Sequence, residues 1–342
     1  ANGDGNKRLG PNQAYDFAMG KTVEAHNGMK VRLSRPLDFI VLADHALNMG
    51  LIDSFRNADP KLLSSTKGKE LYSRFTEIMA IYENSPDDKA VQEFFGNLWP
   101  TTGTSVVDDH YQTSVWQRVT QDADTYNRPG QFTAFIGYEW TSPGENGGNL
   151  HRVVIFKDSG DKANHVLPFS TYDSRNPEDL WEYLSVYETK TGGEVLAVPH
   201  NGNLSNGTMF PNVDFDGNQL SEAYAKSRSR WEPLYETTQI KGDSEAHPLL
   251  SPTDEFSNYE TWNSWAGRNK KDLQKKDSIL RKKSEYTRSG LKLGLKHQAN
   301  IGINPFKFGL IGSTDAHTSL ATADEDNFFG KITDFEPRVS RM

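Results

Sequence analysis

Cysteine is absent from all 342 residues. That excludes disulfides, thiolate metal sites and a cysteine nucleophile. It is compatible with an oxidising compartment, where stray thiols are a liability. No apolar run approaches the roughly 18 residues that a membrane helix needs, so no membrane span is expected. The opening ANGDGNKRLG has no apolar core of a signal peptide, so any such peptide would already have been removed. Positive charge is also scarce: 38 Lys and Arg face 46 Asp and Glu, for a net charge of −8. A protein that grips nucleic-acid phosphates carries the opposite balance, and no nucleic-acid partner is expected. Hydrophobic residues make up 35%, which is lean and reads as a core carrying long polar loops. There is no internal repeat and no low-complexity segment.

The apolar residues that are present fall in short β-rich runs: Leu37–Leu42, Phe132–Tyr138, Arg152–Phe156, Val195–Val198 and Phe308–Ile311. Continuous runs of this length suit buried, parallel strands. Helical patterns lie between them at Asn12–Met19, Gly68–Tyr82, Asp87–Leu98, Tyr111–Tyr126, Pro177–Lys190 and Ser278–Ala299. The alternation predicts an α/β fold with parallel pairing. Length alone suggests two domains of about 100–200 residues, and a single barrel of about 250 residues with insertions fits as well. Residues 51–127, mostly helical, read as an insertion after the first strand, and residues 203–230 as a second one. The basic stretch Arg268–Arg288 reads as a solvated helix face or as a phosphate or membrane patch.

The ionisable residues gather where strands end. LDFIVLA is followed by Asp44 and His45, FTAFIGY by Glu139, EVLAVP by His200 and Asn201, and FGLIGST by Asp315 and His317. His151 immediately precedes RVVIF. In parallel α/β architectures the C-terminal strand ends share one face, where active sites lie. Of the nine His in the chain, His45, His151, His200 and His317 fall in this pattern. Imidazole and carboxylate together are ligands for Zn, Mn or Fe. The candidates exceed what one ion needs, which predicts two or three divalent metal ions, with Glu139 or Asp315 bridging. Such ions clamp a phosphoryl group and generate hydroxide at neutral pH. The absence of a G-x-S-x-G elbow lowers a Ser-His-Asp triad. A carboxylate pair acting on glycosidic bonds stays open, though it does not need four His.

These residues resemble the polymerase-and-histidinol-phosphatase (PHP) superfamily. The segments that carry the likeness are ADH after LDFIVL, the Glu of GYEW, HR in NLHRVVIF, PHN after VLAV, and STDAH. A closer likeness is to a large, chiefly bacterial and often exported branch whose members carry a domain of unknown function. It rests on LGPNQAYDFAMG, RPLDFIVLADHA, PHNGNLSNGTMF, QIKGDSE and NPFKFGLIGSTDAHTSLATADEDNFFGK, and covers about residues 8–331. The resemblance implies a distorted (β/α)7 TIM-like barrel, one catalytic domain over residues 1–342, and a metal-dependent phosphoesterase acting on a small-molecule phosphate ester. It implies metal ligands at His45, Glu139, His151, His200, Asp315 and His317, and a periplasmic or secreted location. Asp44 would orient a ligand, and an Asp or His at the rim, Asp315 or His317, would protonate the leaving group.

The superfamily's opening His-x-His is missing, and His26 stands alone in KTVEAHNGMK. Members of the branch are also longer at the C-terminus. The expectation is a chain incomplete at both ends, or one that diverged and lost the site. Arg152, Asn201, Asn203 and Lys241 are candidate phosphate donors, Lys241 following a β-like run at Tyr235–Ile240. Asn149 and Asn201 suit turns equally well, Trp140 suits a pocket wall or the core, and Asp243 and Glu245 suit the site or a helix cap. Two other readings stand beside the phosphoesterase: a metal hydrolase of amides, lactones or sulfate esters, and a non-catalytic binding protein with a degraded metal site.

Overall fold

Helix ends follow local chemistry throughout the chain. The computed structural model describes residues 8–85, 88–98, 105–143, 148–262, 276–322 and 324–330. Helix α1 (Pro11–Ala18) begins with Pro in its first turn, where a missing N–H costs nothing. A short antiparallel pair follows, β1 (Val23–Glu24) and β2 (Lys30–Val31). After β3 (Phe39–Val41) come α2 (Leu51–Arg56), α3 (Thr66–Tyr82), α4 (Lys89–Leu98) and α5 (Asp109–Tyr126). Ser65 caps α3 and Asp108 caps α5, each side chain accepting an orphan backbone N–H.

Next come β4 (Thr133–Pro143), β5 (Asn149–Phe156), the one-turn α6 (Gly160–Ala163), α7 (Pro177–Thr191) and β6 (Val195–His200). Helix α7 has Asn176 as its cap, Pro177 at its start and left-handed Gly192 at its end. The chain closes with α8 (Glu222–Trp231), β7 (Leu234–Gln239), β8 (Gly242–Asp243), α9 (Lys276–Lys282), α10 (Thr287–Ile301) and β9 (Gly309–Gly312).

The expected (β/α)7 TIM-like barrel is not formed. The strands make separate sheets in the orders β1–β2, β3–β4–β5–β6 and β8–β7–β9, and none of the three closes on itself. Among the described strands, β3–β4 and β7–β9 pair in parallel, whereas β4–β5 and β5–β6 are antiparallel. The physical reason for the first antiparallel pair lies in the connection. Residues 144–148 alone join β4 to β5, whereas a parallel crossover needs about a dozen residues or more. The expected first strand, now β3, is preceded by β1 and β2.

Two other expectations change in detail. Ser278–Ala299 does not form one helix, because tertiary bonds break it between α9 and α10. The Phe210 N–H donates to the Ser284 carbonyl at 2.9 Å, and the Thr287 N–H to that of Ser244 at 2.8 Å. Within the basic stretch, residues 268–275 lie outside the described residues. Among the described cations there, Arg281 and Lys282 pair with Glu285, and Arg288 with Glu245 and Asp254.

One face of the four-stranded sheet carries Tyr138, Trp140, Val154 and Phe156. It packs on Trp116 of α5 and on Trp181, Leu184 and Tyr187 of α7. A second apolar cluster, including Leu51, Phe55, Phe75, Ile78, Val91 and Phe94, is closed among α2, α3, α4 and the first half of α5. Helix α5 therefore belongs to both, with Tyr111 and Val115 in the helical cluster and Trp116 and Ala123 in the sheet's.

Candidate metal centre

Alternation along strands puts residues of odd and even number on opposite faces. Tyr138 and Trp140 enter the core, so Glu139 and Thr141 face the other way. Thr141 is opposite His151, and His151 is opposite His200, forming one row across β4, β5 and β6. Glu139 lies one diagonal step from His151, within reach of a long side chain. Because β5 runs antiparallel, its start meets the C-terminal ends of β4 and β6. The convergence expected from parallel strands thus arises by another geometry.

Glu139, His151 and His200 are 6%, 5% and 2% exposed, respectively. One potential ligand atom from each lies within 4.8 Å of the others, so the group is able to hold a metal ion. Glu139 Oε1 pairs with His151 Nδ1 and lies 3.6 Å from His200 Nε2. The rings of His151 and His200 meet edge to face with centroids 5.4 Å apart. His45 continues the β3 ladder beside Glu139: the Ala46 N–H donates to the Glu139 carbonyl and the Glu139 N–H to that of Asp44. Its Nδ1 is 3.5 Å from Glu139 Oε1 and also bonds Thr141 Oγ1, and its side chain is 39% exposed, at the mouth.

The electrostatics bind this group together. Burial pushes the Glu139 carboxyl up, but the charges of His45 and His151 and its close contacts with the His151 and His200 rings hold it well below the usual carboxylate range. Burial pushes His151 down to about 4 despite Glu139. Burial also disfavours the His200 cation, yet Glu139, Glu236 and Asp315 raise its pKa overall. Both ring nitrogens of His200 are buried without a hydrogen-bond partner among the described residues.

The structure does not bring all six expected ligands into this group. Asp315 and His317 follow β9 and form a second polar cluster. His317 Nε2 lies 3.1 Å from Asp315 Oδ1, while Asp315 Oδ2 pairs with Lys241 Nζ and accepts from Gln239 Nε2 at 2.8 Å. Gln239 also donates to Asn201 Oδ1 at 2.8 Å, which links the cluster to the residue after His200. Asn201 is left-handed (φ 61°) and starts a tight turn through Gly202. A Cβ on Gly202 would lie 2.2 Å from the Tyr235 hydroxyl and 2.4 Å from the Glu285 carbonyl, so only glycine fits there.

Several expected site residues are placed elsewhere. Arg152, the neighbour of His151, points to the opposite face and is 1% exposed. Its Nε donates to Glu232 Oε1 at 2.9 Å, and its guanidinium lies over Trp140, so it meets no substrate. Trp140 is fully buried in the core rather than walling the site. Asp44 is exposed, on the face opposite His45 by the same alternation, and its charge acts on Tyr15 instead. Asn203 holds the turn at Lys241, donating to that residue's carbonyl at 3.1 Å, and Asn149 sits in the β4–β5 ladder. Glu245 pairs with Arg288, and Asp243 accepts the Glu245 N–H. Lys241, by contrast, is buried at this site, and its charge is felt by His151.

Sequence reasoning missed Glu236, Gln239 and Thr141. Glu236 is 4% exposed on β7, which lies against β6, and its Oε1 has no hydrogen-bond partner among the described residues. An acid inside a strand-like run was the available signal, since burying a carboxylate is costly. Burial and the Asp315 charge raise its pKa to about 7, against the pull of His200 and Lys241. In the unfolded chain it ionises at its ordinary 4.5. Between those values the unfolded state binds fewer protons, so this group's effect on stability worsens as pH rises and is fully felt above about pH 7. The penalty is roughly 3 kcal/mol from the size of the shift. Glu236→Gln is expected to stabilise the chelated protein by about 1–3 kcal/mol at pH 8 and to leave it unchanged near pH 4. Urea unfolding at both pH values, in EDTA, reads this directly; an equal effect at both would show that Glu236 is not the titrating group.

Two surface clefts of about 490 and 470 Å³ lie away from these residues. One is lined by α5 and α6 residues such as Asp124 and Asn164, the other by residues that include Ser105, Tyr172 and Tyr183. Comparisons with curated proteins and with solved structures gave no match. A family model described as "Protein of unknown function (DUF3604)" matches residues 1–342. With its Glu-His-His group on three adjacent strands, the chain belongs to the DUF3604 family.

Proposed function

We propose that this protein is a metal-dependent hydrolase whose substrates are phosphate esters. One observation carries the reading: Glu139, His151 and His200 converge in a buried group in which both His200 ring nitrogens lack hydrogen-bond partners among the described residues. A buried polar atom left unpaired costs about 1–3 kcal/mol, and a cation is the partner this donor set suits. Two imidazoles and a carboxylate are also a common protein donor set of catalytic zinc sites that keep a position open. An ion bound there supplies Lewis acidity and makes hydroxide available at neutral pH.

The residues around it have separable tasks. Glu139 orients His151 and His200 through its shared oxygen. His45, half exposed at the mouth, is placed to pass a proton to a leaving group. Asn201 Nδ2, buried and without a partner among the described residues, offers a donor to an ester oxygen. A second ion would have to draw on Asp315 and His317, whose carboxylate Lys241 already holds. The likeness to the PHP superfamily supports the chemistry and not a barrel. An exported, periplasmic setting is proposed on that likeness alone.

The test is turnover of p-nitrophenyl phosphate and bis(p-nitrophenyl) phosphate by protein purified without chelator. Dialysis against EDTA is expected to lower the rate more than about a hundredfold, with recovery on adding back Zn, Mn or Fe. Turnover of an aryl sulfate or a lactone, with none of the phosphoesters, would move the reading to those esters. Absence of bound metal together with absence of turnover would defeat it.

A further inference from the structure

Outside the Glu-His-His group, a second set of chemistry-bearing side chains lies at the ends of β7 and β9. Asp315, His317 and Glu236 together have the composition of a cation site: two carboxylates and an imidazole. Yet a cation is already there. The Lys241 ammonium pairs with Asp315 Oδ2 and is almost fully buried, with its side chain 5% exposed. A buried ammonium is expensive unless paired, so this placement must be held by its surroundings.

The surroundings do hold it. The Lys241 N–H donates to Gln239 Oε1 at 2.6 Å, and its carbonyl accepts from Asn203 Nδ2 at 3.1 Å. The next residue, Gly242, has φ +98°, and a Cβ there would lie 2.4 Å from Trp262 Cβ. The backbone that carries Lys241 is thereby fixed on both sides of the residue. Gln239 ties the same Asp315 oxygen to Asn201, so the carboxylate is locked against Lys241 from a second direction. The Lys241 charge also acts on Glu236 and on His151.

We propose that Lys241 takes the place of a second metal ion: the chain binds one divalent ion at Glu139, His151 and His200, and the Lys241 ammonium is the built-in counter-charge for Asp315 and Glu236. This inference rests on the metal reading above and limits it to one ion. Asp315 and His317 then serve as partners of Lys241 rather than as ligands. The pair of charges, one divalent and one ammonium, presents two positive ends to a single oxyanion.

The test is metal stoichiometry, by plasma mass spectrometry after equilibrium dialysis against Zn or Mn, on the full chain. Wild type is expected to hold one ion and His200→Ala none. Lys241→Ala is expected to hold two, and the double variant Lys241→Ala with Asp315→Asn to return to one. Asp315→Asn alone is expected to retain one ion, with affinity within about threefold. A thermal melt confirms that each variant is folded. Two or more ions in wild type, one ion in folded Lys241→Ala, or loss of the ion in Asp315→Asn would each overturn the inference. If Lys241→Ala does not fold, the wild-type and Asp315→Asn stoichiometries still decide it. No ion in wild type would instead overturn the metal reading itself.

Discussion

His200→Ala is expected to abolish metal retention and to lower any phosphoester turnover by more than about a hundredfold. Loss of an outer partner of a metal ligand already costs about 10–100-fold in affinity or activity, and loss of a ligand costs more. The effect should be large because of where His200 sits. It ends β6 opposite His151, is 2% exposed, and has no hydrogen-bond partner among the described residues for either ring nitrogen. Removing it breaks no described hydrogen bond but empties a buried position, so a thermal melt of the variant separates a loss of metal from a loss of structure. Glu139→Gln should behave differently. It keeps the shape but removes the charge that His151 and His45 face, so both metal affinity and the raised pKa of His200 should fall. Plasma mass spectrometry and an activity panel on the two variants check this. Wild-type metal content in His200→Ala would remove that residue from the site.

Glu232→Ala should be strongly destabilising. Glu232 lies just after α8 and carries a buried ion cluster. Arg152 Nε donates to its Oε1 at 2.9 Å, Trp181 Nε1 donates to the same oxygen at 2.9 Å, and Arg228 Nε lies 3.1 Å from Oε2. Burial pushes this carboxyl up, and the two guanidiniums more than offset it, so its pKa is lowered. Arg228 is further held by the Met209 carbonyl and lies over the Phe306 ring. Removing the carboxylate leaves two buried cations facing each other with no anion. Breaking a buried pair in this way costs about 3–5 kcal/mol. Urea unfolding at neutral pH measures it, and a change under about 1 kcal/mol would mean that the arginines find other partners. Because the folded pKa is depressed, the cluster's contribution is present above the ordinary carboxylate range. It is lost as pH falls through the folded value.

Much of the candidate metal centre was legible because His, Asp and Glu are rare residue types at strand ends. His45, Glu139, His151 and His200 each stand beside an apolar run, and the fold brings them together. The direction of the strands was not legible from those runs. Strand β5 is central, and a central strand is apolar whichever way it runs; only the short connection at 144–148 distinguishes the two. The closed barrel was inferred from likeness, and no local property of the strands specifies closure.

Arg152 illustrates a different failure. Period-two alternation forbids adjacent residues 151 and 152 from facing one site, so its exclusion was available from the strand pattern alone. Glu236 and Gln239 lay in a run already read as β-like, but nothing in the run itself says which of its polar side chains turn inward. The Lys241–Asp315 pair joins residues far apart in the chain, and nothing near either one announces the other.

The division of α5 between two apolar clusters has a consequence for how the molecule comes apart. The cluster among α2, α3 and α4 touches the rest of the core mainly through a helix whose first half it owns and whose second half it does not. Sub-global opening follows such boundaries, because a unit that buries its own side chains can detach at small cost to its neighbours. The helical layer is expected to open as a unit, with one boundary between Val115 and Trp116 and the other near Met49, which packs on both clusters. Its opening would unwind half of α5 while Trp116 stays wedged against Tyr138 and Phe156, leaving the three strands that carry Glu139, His151 and His200 in register.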